Sequence, residues 1–157
     1  MPSTRPIKLD AWGISWEEYK ELTYFCLQYD AKKREAAALL TIRLSTPTPA
    51  TYHKGGKEYG TFMPRGNHIS DPVAATTAKR ERLLNDVRII EQAAIAAVHD
   101  SGLDPQYLLR AVTTRDGTRK TLASMGVPMG ERQFYALRRK FFWVLREMKN
   151  GDLEPVA

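Results

Sequence analysis

Residues 16–40 read WEEYKELTYFCLQYDAKKREAAALL, a run with neither glycine nor proline. Within it Trp16, Tyr19, Leu22, Phe25, Cys26 and Tyr29 recur three and four residues apart. That spacing gathers them on one face of an α-helix and would scatter them over both faces of a strand. The run is preceded by Ser15, with Glu18 three residues on. In such a capping box the hydroxyl and the carboxylate each satisfy an otherwise orphaned amide. The pattern turns charged near Asp30 (Lys32, Lys33, Arg34, Glu35), where the helix can break before its end near Leu40.

The remaining punctuation extends the helical reading. Pro2, Pro6 and Gly13 mark residues 1–13 as irregular. Residues 45–71 hold Pro47, Pro49, Gly55, Gly56, Gly60, Pro64 and Gly66 and read as a long loop, with KEYGTFM compatible with a short hairpin strand. Ser70-Asp71-Pro72 starts a second helix running to about His99. Its Leu83, Val87, Ile90, Ala94 and Ala97 form a seam of about two heptads. Asp100-Ser101-Gly102 ends that helix, and Asp104-Pro105 opens a third with Tyr107, Leu108, Ala111 and Val112 as its apolar face. After a turn at Asp116-Gly117, a short helix is expected over Thr118–Met125, a sharp turn at Gly126, and a longer helix over Met129–Lys149 closed by Asn150-Gly151. The expected fold is all-α: a flexible arm over 1–14, a helical scaffold over 15–113 with a long loop at about 41–70, and a C-terminal helix–turn–helix over 114–151.

At 157 residues the chain suits one domain, or a small domain with an appendage. A single cysteine excludes an internal disulfide and fits a reducing compartment. No apolar run approaches the roughly 20 residues of a membrane span, and the N-terminus lacks the apolar core of a signal peptide. A cytoplasmic protein is expected.

Charge singles out the last third. Residues 115–149 contain nine Lys/Arg against three acids, a surplus of six that equals the formal net charge of the entire chain. A basic segment on a neutral body is the electrostatic footprint of a polyanion binder. Placed on a helical wheel, Phe134, Leu137, Phe141, Leu145 and Met148 share one side, while Arg132, Tyr135, Ala136, Arg139 and Trp143 face away. This is the division a recognition helix needs, with one face held by the preceding helix and exposed N-terminal residues reaching base edges in the major groove. Arg132, Gln133, Tyr135, Ala136 and Arg139 are the candidate base-reading residues. The arginines and Gln133 carry the forked or amide groups that pair with guanine or adenine, and Ala136 allows close approach. Arg119, Lys120, Arg138 and Lys140 are candidate phosphate contacts, which fix register without specifying sequence. Trp143 is out of place among basic groups and is expected to pack on another helix or a second subunit, confining the DNA-facing arc to residues 131–139.

Other chemistries find little footing. Cys26, inside an aromatic stripe, reads as a buried thiol; Trp12 and Trp16 could stack in an interface. His53, His68 and His99 lack zinc-ligand spacing with Cys26, so no metal site is expected. GGKEYGT at 55–61 lacks the lysine before its threonine that a phosphate loop requires, and no strand precedes it. No HExxH, GxSxG or paired-cysteine motif appears, so neither an enzyme nor a cofactor is expected.

Three blocks, ISWEEYKELTYFCLQYDAKKRE, IIEQAAIAA and VPMGERQFYALRRKFFWVL, resemble the RinA/ArpU-like late transcriptional regulators of phages and prophages of Gram-positive bacteria. The last block is the most specific, with Val-Pro followed by Phe134-Tyr135, Arg138-Arg139 and Phe141-Phe142. The resemblance implies a small helical protein whose C-terminal half looks like region 4 of sigma-70-type factors. It implies binding to late-gene promoter DNA in the bacterial host cell, with reading by Arg132, Gln133, Tyr135, Ala136 and Arg139. The 41–70 loop is longer and richer in glycine and proline than that family suggests. The expected partners are double-stranded DNA, with RNA polymerase and a second copy of the chain as candidates. A small terminase subunit and a protein-binding inhibitor or adaptor of host machinery are the alternatives.

Overall fold

The computed structural model describes residues 10–45, 53–54, 57–58, 72–115, 119–127 and 129–153, and it is all-α. Six helices are described: α1 (Trp16–Leu27), α2 (Tyr29–Ser45), α3 (Pro72–Val98), α4 (Pro105–Thr113), α5 (Arg119–Ser124) and α6 (Glu131–Asn150). A two-residue antiparallel ladder pairs His53–Lys54 with Lys57–Glu58. The expected Ser70-Asp71 cap, the Asp116-Gly117 turn, Thr118 and most of the 41–70 loop lie outside the described residues, as do residues 1–9 of the arm.

The capping box forms as the sequence predicts. Ser15 Oγ accepts from the Glu18 amide at 3.2 Å, and Glu18 Oε2 accepts from the Ser15 amide at 2.9 Å. The long first helix breaks at Gln28, two residues before the charged turn at Asp30, and becomes α1 and α2. The break lets the two halves take different partners. α1 lies on α4 and α6, whereas α2 runs antiparallel to α3. Polar pairs cross the α2–α3 seam: the Tyr29 hydroxyl donates to Glu91, Lys32 pairs with Asp86 at 2.7 Å, and Lys79 pairs with Glu35. Burial and the bond to Glu91 push the Tyr29 phenol upward, so it stays a neutral donor. α2 extends five residues beyond Leu40, and nothing in TIRLS breaks a helix before the neighbourhood of Pro47.

α4 starts as expected, with Asp104 accepting from the Gln106 amide at 2.9 Å and Pro105 in the first turn. α6 ends in a Schellman motif: Gly151 is left-handed (φ 79°), and the Gly151 and Asp152 amides reach back to Met148 and Glu147. Its expected stripe, Phe134, Leu137, Phe141, Leu145 and Met148, is buried throughout, and so are Phe142 and Val144 on the flank. α6 is therefore the central helix. Phe141, Phe142 and Leu145 meet Ile90 and Val87 of α3, Cys26 of α1 and Leu108 of α4 in one core. Phe142 takes the edge of Tyr19 at a centroid distance of 5.1 Å. Burial raises the Cys26 thiol to about 12, which keeps it protonated and unreactive at neutral pH.

The arm expected over 1–14 is docked where it is described. Asp10–Trp12 make a 3-10 turn, Gly13 is left-handed (φ 69°), and Ile14 is buried in the main core. Trp12 packs on Trp143 at a centroid distance of 5.9 Å. The outward tryptophan of the wheel is thus covered by the N-terminal turn of its own chain, where another helix or a second subunit was expected.

Candidate nucleic-acid interface

The local geometry of the helix–turn–helix segment follows from three small devices. α5 stops at Ser124, and the chain reverses through Gly126, whose φ of 78° suits glycine best and whose amide donates to Ala123 at 3.0 Å. Val127 then turns inward. It forms a second apolar cluster with Ala111 of α4 and Phe134 of α6, against which Tyr107, Met125 and Met129 pack. This cluster fixes the first turns of α6 on α4. Gly130 is the N-cap and makes no side-chain cap hydrogen bond, leaving first-turn amides of α6 open to an anion.

The predicted reading residues fall on one end of the molecule but do not share one environment. Arg132, Gln133 and Ala136 are exposed on the first two turns of α6. Arg139 is half-buried one turn on; neither it nor Arg132 makes an ion pair among the described residues. Tyr135 is partly committed to packing, since its ring meets Phe134 edge-on at 5.3 Å.

The predicted phosphate contacts divide more sharply. Lys120 is exposed on α5, and the Arg119 side chain lies outside the described set. Arg138 is turned toward α1, where its guanidinium lies 5.5 Å from the centre of the Phe142 ring and donates to the Tyr19 hydroxyl at 3.4 Å. Lys140 pairs with Asp100, in the turn after α3, at 3.2 Å. Two of the four expected phosphate contacts are thus engaged by partners within the protein. Beyond them Arg146 reaches Glu18 at 3.6 Å, and Lys149 pairs with Glu21 at 3.2 Å while resting over the Phe25 ring.

This changes the meaning of the charge surplus. Lys140, Arg146 and Lys149 are matched by Asp100, Glu18 and Glu21, carboxylates that lie outside the basic segment. Half of the surplus of six is therefore spent in binding α6 to the body. Within residues 115–149, Arg115, Lys120, Arg132 and Arg139 meet no carboxylate among the described residues. Arg115, which the sequence reading counted in the charge but gave no role, lies exposed just past the end of α4. Its position relative to α1 depends on the fold, and no local pattern announces it.

Among the described residues no helix is long and apolar enough to cross a membrane, and no group of three or more His, Cys, Asp or Glu is arranged to hold a metal ion. Asp100, with His99 Nδ1 at 3.1 Å and the Lys140 ammonium at 3.2 Å, has its carboxyl held below the usual range by these two hydrogen bonds. Comparisons with protein-family models, curated proteins and solved structures give no match to this chain.

Proposed function

We propose that the chain binds double-stranded DNA through the N-terminal half of α6 and acts as a transcriptional regulator of the phage late-gene type. The observation that carries this reading is the split along α6. Arg132 stands exposed on its first turn and Arg139 half-buried two turns on, neither in an ion pair among the described residues, behind a Gly126 turn and a Phe134 anchor, while the rest of the helix is core. A helix held this way offers a short, stiff edge to the major groove. Lys120 on the neighbouring helix supplies a phosphate contact, and the open first-turn amides of α6 supply another.

The test is DNA retention followed by selection from a random pool. Purified full-length protein is expected to retain duplex DNA at low salt and to enrich a defined motif. With three or four phosphate-neutralising cations per copy, log K should fall against log salt with a slope of about −3 to −4; full use of the basic segment would give about −8. No retention at low salt would end the DNA reading. Retention with no enriched motif would end the regulator reading and leave an electrostatic binder.

A further inference from the structure

A second surface lies on the opposite flank of α6. Between α1 and the end of α4 runs a groove of about 540 Å³. Its rim is set by Trp16, Lys20 and Tyr24, one helical stripe of α1, and by Arg115 across from them; Leu27 contributes aliphatic surface, and the buried Val112 lies at its floor. Trp16 is 53% exposed and Tyr24 66% exposed, large aromatic areas that the fold leaves uncovered. Among the described residues no carboxylate lines the groove, although Lys20 and Arg115 stand at it without ion pairs. An aromatic trough with one sign of charge selects an apolar partner carrying the other sign.

We infer that this groove docks an acidic amphipathic helix from a partner protein, with the apolar face of that helix on Trp16, Tyr24 and Leu27 and its carboxylates on Lys20 and Arg115. The dimensions suit such an occupant. From Trp16 to Leu27 α1 spans about 16 Å, three turns of a docked helix, which is room enough for anchors at i, i+3, i+4 and i+7, about 10 Å apart end to end. Single-stranded nucleic acid also seeks aromatics beside cations, but it needs an open ring face for stacking. Here the Lys20 ammonium already sits over the Trp16 ring, 5.1 Å from its centre, and Trp16 leans on Tyr19 at 5.7 Å. That arrangement occupies a stacking position at Trp16 and presents a cation to a carboxylate.

The experiment uses the full chain and a fluorescein-labelled peptide of about fourteen residues, with Leu and Phe at i, i+3, i+4 and i+7 and Glu elsewhere. Fluorescence anisotropy should show saturable binding with Kd of about 10–100 μM. The same peptide with Lys in place of Glu should bind at least about tenfold more weakly. Lys20→Glu with Arg115→Glu should cost the acidic peptide about tenfold or more, whereas Arg82→Glu with Arg88→Glu, an equal change of charge on exposed positions of α3, should leave it within about twofold. Should the groove variant lose its helical circular dichroism, Tyr24→Ser and Arg115→Glu are tested singly, each with an expected loss of about threefold or more. Three results overturn the inference: no saturation by about 1 mM peptide, equal binding by the groove and α3 variants, or displacement of the peptide by oligothymidylate at lower concentration than by unlabelled peptide.

Discussion

Over Glu131–Arg139 and over Lys140–Asn150, α6 carries cations at a similar density, three in the first stretch and three in the second. Their neighbours differ. In the second stretch each cation meets a carboxylate from another part of the chain, and the helix between them is buried against α3, α1 and α4. In the first, Arg132 and Arg139 meet none among the described residues, and the buried side chains are Phe134 and Leu137. Net charge by itself does not distinguish a binding surface from a set of staples. The distinction lies in whether the compensating acids come from the fold or must come from a ligand.

The largest effect should come from the buried stretch. Phe141 is fully buried at the meeting of α6 with α3 and α1, so Phe141→Ala removes a ring from a site that can collapse only in part. A loss of about 3–5 kcal/mol of stability is expected in a urea or guanidinium titration. A loss under about 1 kcal/mol would mean that α6 is not the central helix and would dissolve the contrast between its halves.

Next is Arg132→Ala, in the exposed stretch. Stability should stay within about 0.5 kcal/mol, because the side chain is exposed and unpaired. Affinity for the selected DNA motif should fall by about 1–3 kcal/mol, with preference relaxed at one base position. Lys120→Ala should instead weaken all sequences alike. Equal, sequence-independent losses from both would show that the first turns of α6 act only as a charged patch.

These contrasts also show what could be read from the chain. The stripe of Phe134, Leu137, Phe141, Leu145 and Met148 was legible because a buried helical face imposes its own period. The burial of Phe142 and Val144 was not, because a wheel assumes one buried face and α6 is covered from several directions. The capping box at Ser15, the Asp104 cap and the Gly151 terminus depend on residues within one turn and emerge from local spacing. The partners of Arg138, Lys140, Arg146 and Lys149 lie 40 to 128 residues away in sequence. No local pattern encodes those pairings, so the basic face looked broader in sequence than it is in space.

Arg146→Ala sharpens the boundary from the structural side. Its guanidinium lies between Glu18 and Glu147, beside Gly13, and is 28% exposed. Losing this bridge between α6 and the start of α1, with the packing of its stem, should cost about 1 kcal/mol of stability. DNA affinity should be unchanged within about twofold. A fall in affinity without a fall in stability would extend the binding surface into the stapled half.

The smallest effect is expected at the boundary itself, from Asp100→Asn. Hydrogen bonds with His99 and Lys140 lower the Asp100 carboxyl in the folded protein. A lowered folded value makes the pair stabilising above the unfolded carboxylate value near 4, and the contribution is lost as pH falls through the folded value. Because the site is exposed and screened, the variant should melt within about 1 °C of the parent at neutral pH, and the difference should shrink as pH falls below the unfolded carboxylate value. The more informative reading is DNA binding, since the substitution releases the Lys140 ammonium at neutral pH. If the DNA surface ends at Arg139, affinity stays within about twofold and the salt slope is unchanged. If the freed lysine reaches a phosphate, the slope steepens by about 1 and affinity rises. That outcome would make Asp100 a mask on a wider DNA surface and move the boundary on α6 past Lys140.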